Sequence, residues 1–261
     1  MAYAVICLVA MLVAGLTLFS GFGLGTLLMP AFALFFPLPV AVAATAVVHL
    51  ANNLFKVVLV GRKADPGIVL KFALPAALAA IGGALLLEFV SAAPPVFEYA
   101  FAGSLRQITP AKLVIAGLVI GFASLELNPR FEKLAFNPKL IPLGGALSGF
   151  FGGLSGHQGA LRTAFLIRAG LGKEAFIGTM VVSAVVVDVT RLAVYGATFA
   201  SGSFSHEGRS AWGLIVAGSL AAFAGSFAGS RLVKKVTMRS IQVLVGVMLL
   251  LLGLALGAGL I

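Results

Sequence analysis

Ser148–Arg162, read SGFFGGLSGHQGALR, is the stretch whose reading decides the fold. It lies inside a long apolar region, yet it carries five glycines, two serines, His157, Gln158 and, at its end, Arg162. Each glycine in a helix interior costs about 1 kcal/mol relative to alanine. A polar, glycine-rich break at membrane depth is stable only when buried in protein or lining a watery cavity. The stretch therefore reads as a broken or re-entrant helix with a functional lining. A plainer copy, SGFGLGT, stands at Ser20–Thr26.

The surrounding composition is that of a membrane protein. Of 261 residues, 61% are hydrophobic and 10% charged, with a mean hydropathy of +1.13. Soluble domains carry about 25% charged residues. The net charge of +10 sits in short connectors, where it sets topology rather than binding nucleic acid. The single cysteine, Cys7, excludes an internal disulfide and a multi-cysteine metal site. The first apolar segment lacks a basic leader, so no cleaved signal peptide is expected.

Taken in order, the chain falls into two similar halves. Residues 1–127 hold a hairpin over 3–36, of one helix and one half-helix, then spans at 40–60, 67–90 and 110–125. Pro75 is expected to kink the second of these spans. Residues 91–109 read as a connector with an amphipathic run, Val96–Leu105. Residues 128–261 hold a hairpin over 140–171 and spans at 173–195, 210–230 and 241–260, with Gly196–Arg209 as a connector. The second arm of each hairpin is too short to cross, since a spanning helix needs about 20 residues.

The repeat is visible in the letters. Ser20-Gly21-Phe22 matches Ser148-Gly149-Phe150, and Ala41–Thr45 aligns with Ala175–Thr179. Three full spans per half place the halves in opposite orientation, the inverted-repeat plan of many secondary transporters. The fold class expected is an all-α polytopic membrane protein. Charge agrees with this topology. It puts Arg62, Lys63, Lys71, Arg130, Lys133, Lys139, Arg162, Arg168, Lys173, Arg231, Lys234, Lys235 and Arg239 on the cytoplasmic face. Only Arg106, Lys112 and Arg209 fall outside.

On this plan the two glycine tips approach each other near the midplane from opposite faces. A half-helix N-terminus offers free N–H groups and about half a positive charge, a ready site for an anion. The candidate ligands are Gly23, Gly25 and Thr26 at the first tip, and Gly153, Ser155, His157, Gln158 and Arg162 at the second. The competing reading is that the glycines only let helices pack closely. Packing alone does not ask for His-Gln beside them.

His49, Asn52 and Asn53 share one helix face at i, i+3 and i+4, and are candidates to line the same site. Thr179 and Ser183 are their counterparts in the second half. His49 is also the candidate carrier of a coupling proton. Asp188 and Arg191, three apart, are expected to pair. Lys56 is expected to snorkel to the membrane edge.

The duplicated hairpin resembles the sulfite exporter TauE/SafE family of bacterial membrane permeases. The resemblance rests on SGFGLGTLLMP followed by a helix with Ala-Ala-Thr45, and SGFFGGLSG followed by a helix with Ile-Gly-Thr179. It covers most of the chain as a pattern. The first tip departs from the family's run of consecutive glycines, and His157–Arg162 looks like a subgroup signature. The resemblance implies a secondary transporter of small anions, sulfite or an organosulfonate, in the bacterial inner membrane. Its surroundings would be the lipid bilayer, and its mechanism alternating access around the paired tips.

Two rivals stand beside this reading. An anion channel could use the same constriction. Gly153-Leu154-Ser155-Gly156 resembles the serine motif of rhomboid proteases, with His49 as the only midplane base; an enzyme is not the expected answer. No cofactor is implied, since nucleotide loops, haem motifs and metal-ligand clusters are absent from the sequence. The anion, the direction of transport and the oligomeric state are left open.

Overall fold

Caps and prolines set where several helices begin. Asp65 accepts a hydrogen bond from the Ile68 amide (2.8 Å) and Pro66 takes the first helical position. Thr109 and Pro110 repeat the arrangement, with the Lys112 amide donating to the Thr109 hydroxyl at 3.2 Å. Both prolines lie where their missing N–H is not needed. The computed structural model describes residues 1–16, 24–101, 103–128, 134–200, 205–232 and 238–261.

The described helices are α1 (Ala2–Leu16), α2 (Leu24–Ala33), α3 (Leu38–Val60), α4 (Pro66–Ser91) and α5 (Pro110–Leu127), followed by α6 (Ile141–Ser155), α7 (Gly159–Leu166), α8 (Lys173–Ala200), α9 (Ser205–Leu232) and α10 (Met238–Gly257). Among the described residues, four stretches are long and apolar enough to cross a membrane: Leu38–Val58, Pro66–Ser91, Lys173–Ala197 and Ala211–Gly229. The chain is a polytopic membrane protein. At 1.5 Å per residue, the 10-residue α2 and the 8-residue α7 reach only about 15 and 12 Å. That is half or less of a hydrocarbon core of about 30 Å.

Three expectations need correction. The connector's run Val96–Leu105 falls in paired strands, so the described chain is not purely helical. An antiparallel hairpin joins β1 (Phe97–Phe101) to β2 (Ser104–Ile108), with Phe97 opposite Ile108 and Tyr99 opposite Arg106. Aromatic residues alternating at Phe97, Tyr99 and Phe101 suit a pleated strand, and Gly103 turns the chain at φ 75°. The expected connector Gly196–Arg209 is largely helical, because α8 runs on to Ala200 and α9 starts at Ser205. Gly196 stands where a side chain would meet nothing, so no neighbour ends the helix there. Lys56 does not snorkel: it is buried at 8% exposure.

The helix faces are inverted relative to a soluble protein. On α4, Leu70, Leu74, Leu78, Leu85 and Phe89 are exposed, while Phe72, Ala76, Ala80 and Ala84 are buried. Large side chains face lipid and small ones face protein, so backbones approach closely. Gly145, Gly149 and Gly153 of α6 lie against the Phe72, Ala76 and Ala80 carbonyls of α4, inside contact distance for any added methyl. Gly225 and Gly229 of α9 pack the same way on Met11 and Gly15 of α1. The other main pairings are α5 with α10, α3 with α8, α4 with α8, and α9 with α3.

Candidate functional site

The helix break is built by glycine. α6 ends at Ser155, and Gly156 caps it in the left-handed conformation at φ 84°, its amide donating to the Gly152 carbonyl at 3.0 Å. The chain then turns through His157 and Gln158 into α7. The Ser148 hydroxyl donates to the Gln158 carbonyl at 2.8 Å and ties the turn back onto α6. Tyr195 of α8 donates its hydroxyl to the Gly153 carbonyl near the end of α6.

At this turn the second break meets the start of α2. A methyl group on Gly25 would lie 3.2 Å from the Gly156 carbonyl oxygen and 3.6 Å from the His49 ring. One on Gly156 would lie 3.2 Å from Arg191 Nη1. Thr26, on the first turn of α2, is buried. Ser20–Gly23 of the first tip lie outside the described residues.

Asp188 on α8 is the centre of the cluster. One oxygen accepts from His49 Nδ1 (2.6 Å) and Asn53 Nδ2 (3.3 Å). The other accepts from Gln158 Nε2 (3.0 Å), Arg191 Nη2 (2.7 Å) and Arg191 Nε (3.1 Å). A carboxylate offers about four acceptor positions, so this one is saturated. With a carboxylate as acceptor, the His49 Nδ1 carries the proton. The network continues outward, where Arg162 Nη1 donates to Gln158 Oε1 at 2.8 Å. Arg191 Nη1 donates to the Gly152 carbonyl at 3.2 Å. Arg162, Asp188 and Arg191 are all buried, and Lys56 lies within Coulombic reach of Arg162. Among the described residues, the deeply buried charged side chains are thus Lys56, Arg162 and Arg191 against the single carboxylate of Asp188.

The cluster draws together His49, Asn53, Gln158 and Arg162 from the sequence-predicted set, and Gly25 borders it. Others go elsewhere. Asn52 accepts from Ser226 of α9 at 2.9 Å. Thr179 accepts from the Asp65 amide at 3.0 Å, which gives it a structural task at the head of α4. Gly153 faces α4 as a packing glycine. Ser155 accepts from or donates to His157 Nδ1 at 3.0 Å and lies 3.1 Å from the Phe151 carbonyl, while His157 stacks on Phe122. Ser155 Oγ thus bonds the Phe151 carbonyl and His157 rather than His49.

Asp188, Arg191, Lys56 and Tyr195 were not in the sequence-predicted set. The signal for them was present. Lys56 continues the His49, Asn52, Asn53 stripe at i+7, and Tyr195 stands at i+7 from Asp188 with Arg191 between. Several buried polar atoms have no hydrogen-bond partner among the described residues: Thr45 Oγ1, Asn52 Nδ2, His157 Nε2 and Ser183 Oγ. Such atoms in a native interior ask for a water, ion or ligand.

A family model described as Sulfite exporter TauE/SafE matches residues 4–256. No curated protein and no solved structure matches the chain.

Proposed function

The chain belongs to the sulfite exporter TauE/SafE family of membrane transporters, and from that premise we propose that it carries a small oxyanion, sulfite or an organosulfonate, by alternating access in the bacterial inner membrane. The observation that carries this reading is the meeting of Gly25 and Gly156 beside Arg191, next to a buried polar cluster of His49, Asn53, Gln158, Asp188 and Arg191. The start of α2 adds backbone N–H groups without helical partners, a feature suited to an anion.

The helix pairings support the inverted-repeat reading. Exchanging the two halves maps α4 on α6 onto α9 on α1, and α4 on α8 onto α9 on α3, while α3 with α8 and α5 with α10 map onto themselves. Asp188 acts as a resident counter-anion that holds Arg191 and His49 in place while the site is empty. His49, held by that carboxylate, is the group suited to carry a coupling proton.

Thermal unfolding of the purified protein tests the reading. Sulfite, sulfate, thiosulfate, sulfonates and carboxylates would be titrated at two pH values. A ligand present at a hundred times its Kd stabilises by about 2.7 kcal/mol. Melting that ignores every anion would sink the proposal.

A further inference from the structure

A second cationic site stands away from this cluster, where α2 runs out and α5 begins. A cavity of about 380 Å³ is lined by Leu34 and Phe35 after α2, Leu105 and Arg106 of β2, Lys112 of α5, and Leu260. The two cations lie within Coulombic reach of each other. Both are bonded to backbone carbonyls: Arg106 Nη1 to Leu260 at 2.8 Å, and Lys112 Nζ to Gln107 at 3.1 Å. Among the described residues, no acidic side chain lines the cavity and no ion pair joins either cation. Arg106 Nε is buried and has no hydrogen-bond partner among them. Counting a carboxylate at Ile261 still leaves the lining net positive.

Exposed apolar side chains border its opening. Leu34, Phe35 and Leu105 stand open at 45%, 37% and 65%. The neighbouring hairpin presents exposed Phe97 and Phe101 on either side of Tyr99, an aromatic type that settles at the membrane–water boundary. A cationic floor with an apolar border has the chemistry of a lipid headgroup site, because basic pockets between membrane helices hold anionic headgroups. A free oxyanion would use the two cations and leave the apolar rim without a role.

We propose that Arg106 and Lys112 hold the phosphodiester of an anionic phospholipid, with its acyl chains along Leu34, Phe35 and Leu105. The site is independent of the central cluster and does not rest on the transport reading. Native mass spectrometry of the full-length protein, with phosphatidylglycerol or phosphatidylcholine added in turn, tests it.

Phosphatidylglycerol should be retained at least tenfold better than phosphatidylcholine. Lys112→Gln should cut that retention about fivefold, and Arg106→Gln/Lys112→Gln tenfold or more. Arg106 also braces Leu260, so Lys112→Gln, whose side chain is bonded only to the Gln107 carbonyl, serves as the variant that keeps the fold. Equal retention of the two lipids overturns the proposal, as does retention unchanged in Lys112→Gln. Inorganic phosphate binding at the same residues as tightly as phosphatidylglycerol also overturns it, in favour of a free-anion site.

Discussion

Replacing Asp188 with asparagine tests the centre of the buried cluster most directly. The substitution keeps the shape and removes the charge. It leaves Arg191, itself at 0% exposure, without the carboxylate that accepts from its Nε and Nη2. It also sets an amide where five donor contacts converge, so an N–H must face a guanidinium, the Gln158 amide or the His49 Nδ1–H. Removing one partner of a buried ion pair costs about 3–5 kcal/mol, because the remaining charge stays buried and unmatched. The double variant Asp188→Asn/Arg191→Gln removes that orphan charge and should recover at least about 1 kcal/mol relative to the sum of the single losses, the scale of coupling between contacting residues. Thermal and denaturant unfolding of purified protein in one detergent, read by the fluorescence of Trp212, would give all four corners of the cycle. An Asp188→Asn protein within about 1 kcal/mol of the parent, or strictly additive losses in the double variant, would refute the assignment of Asp188 as the hub.

Gly149→Ala should destabilise by about 1–3 kcal/mol through overpacking against the Ala76 backbone, whereas Gly117→Ala in α5, where an added methyl meets nothing, should stabilise by about 0.5–1 kcal/mol; paired melting curves check both. Tyr195→Phe removes the donor to the Gly153 carbonyl and should cost about 1 kcal/mol in the same assay, with no change in helix content by circular dichroism. Lys63→Ala breaks only the exposed pair with Glu174 (3.3 Å, side chains 64% and 73% exposed) and should shift unfolding by less than about 0.5 kcal/mol.

The sequence made some of this legible and left the rest to tertiary structure. Apolar runs and their caps located the long helices, because a membrane helix announces itself by length and composition alone. The break after Ser155 was legible for a related reason: glycine and polar residues at that depth need a cause. Partners across helices were not legible. Asp188 and Arg191 at i+3 already explain each other locally, so nothing along the chain said that His49, Asn53 and Gln158 converge on the same carboxylate. Lys56 was misread because a lysine near a helix end usually reaches water, and only the packing around α3 shows that this one does not. The hairpin after α4 was misread because a short alternating run between two apolar spans looks like a linker until its strands pair.

The glycines of Ser148–Arg162 divide into two kinds, and the division constrains any transport motion. Gly149 and Gly153 face α4, where backbone meets backbone with no side chain between. Gly156 caps α6 and stands beside Gly25 and Arg191. The first kind fastens α6 to α4, a helix of the other half, as Gly225 and Gly229 fasten α9 to α1. Such contacts do not slide by degrees, because any displacement drives a carbonyl into a neighbouring Cα. Rocking residues 1–127 as one body against 128–261 would tear both seams open. Under the proposed alternating access, both seams stay closed only when α6 moves with α4 and α1 with α9.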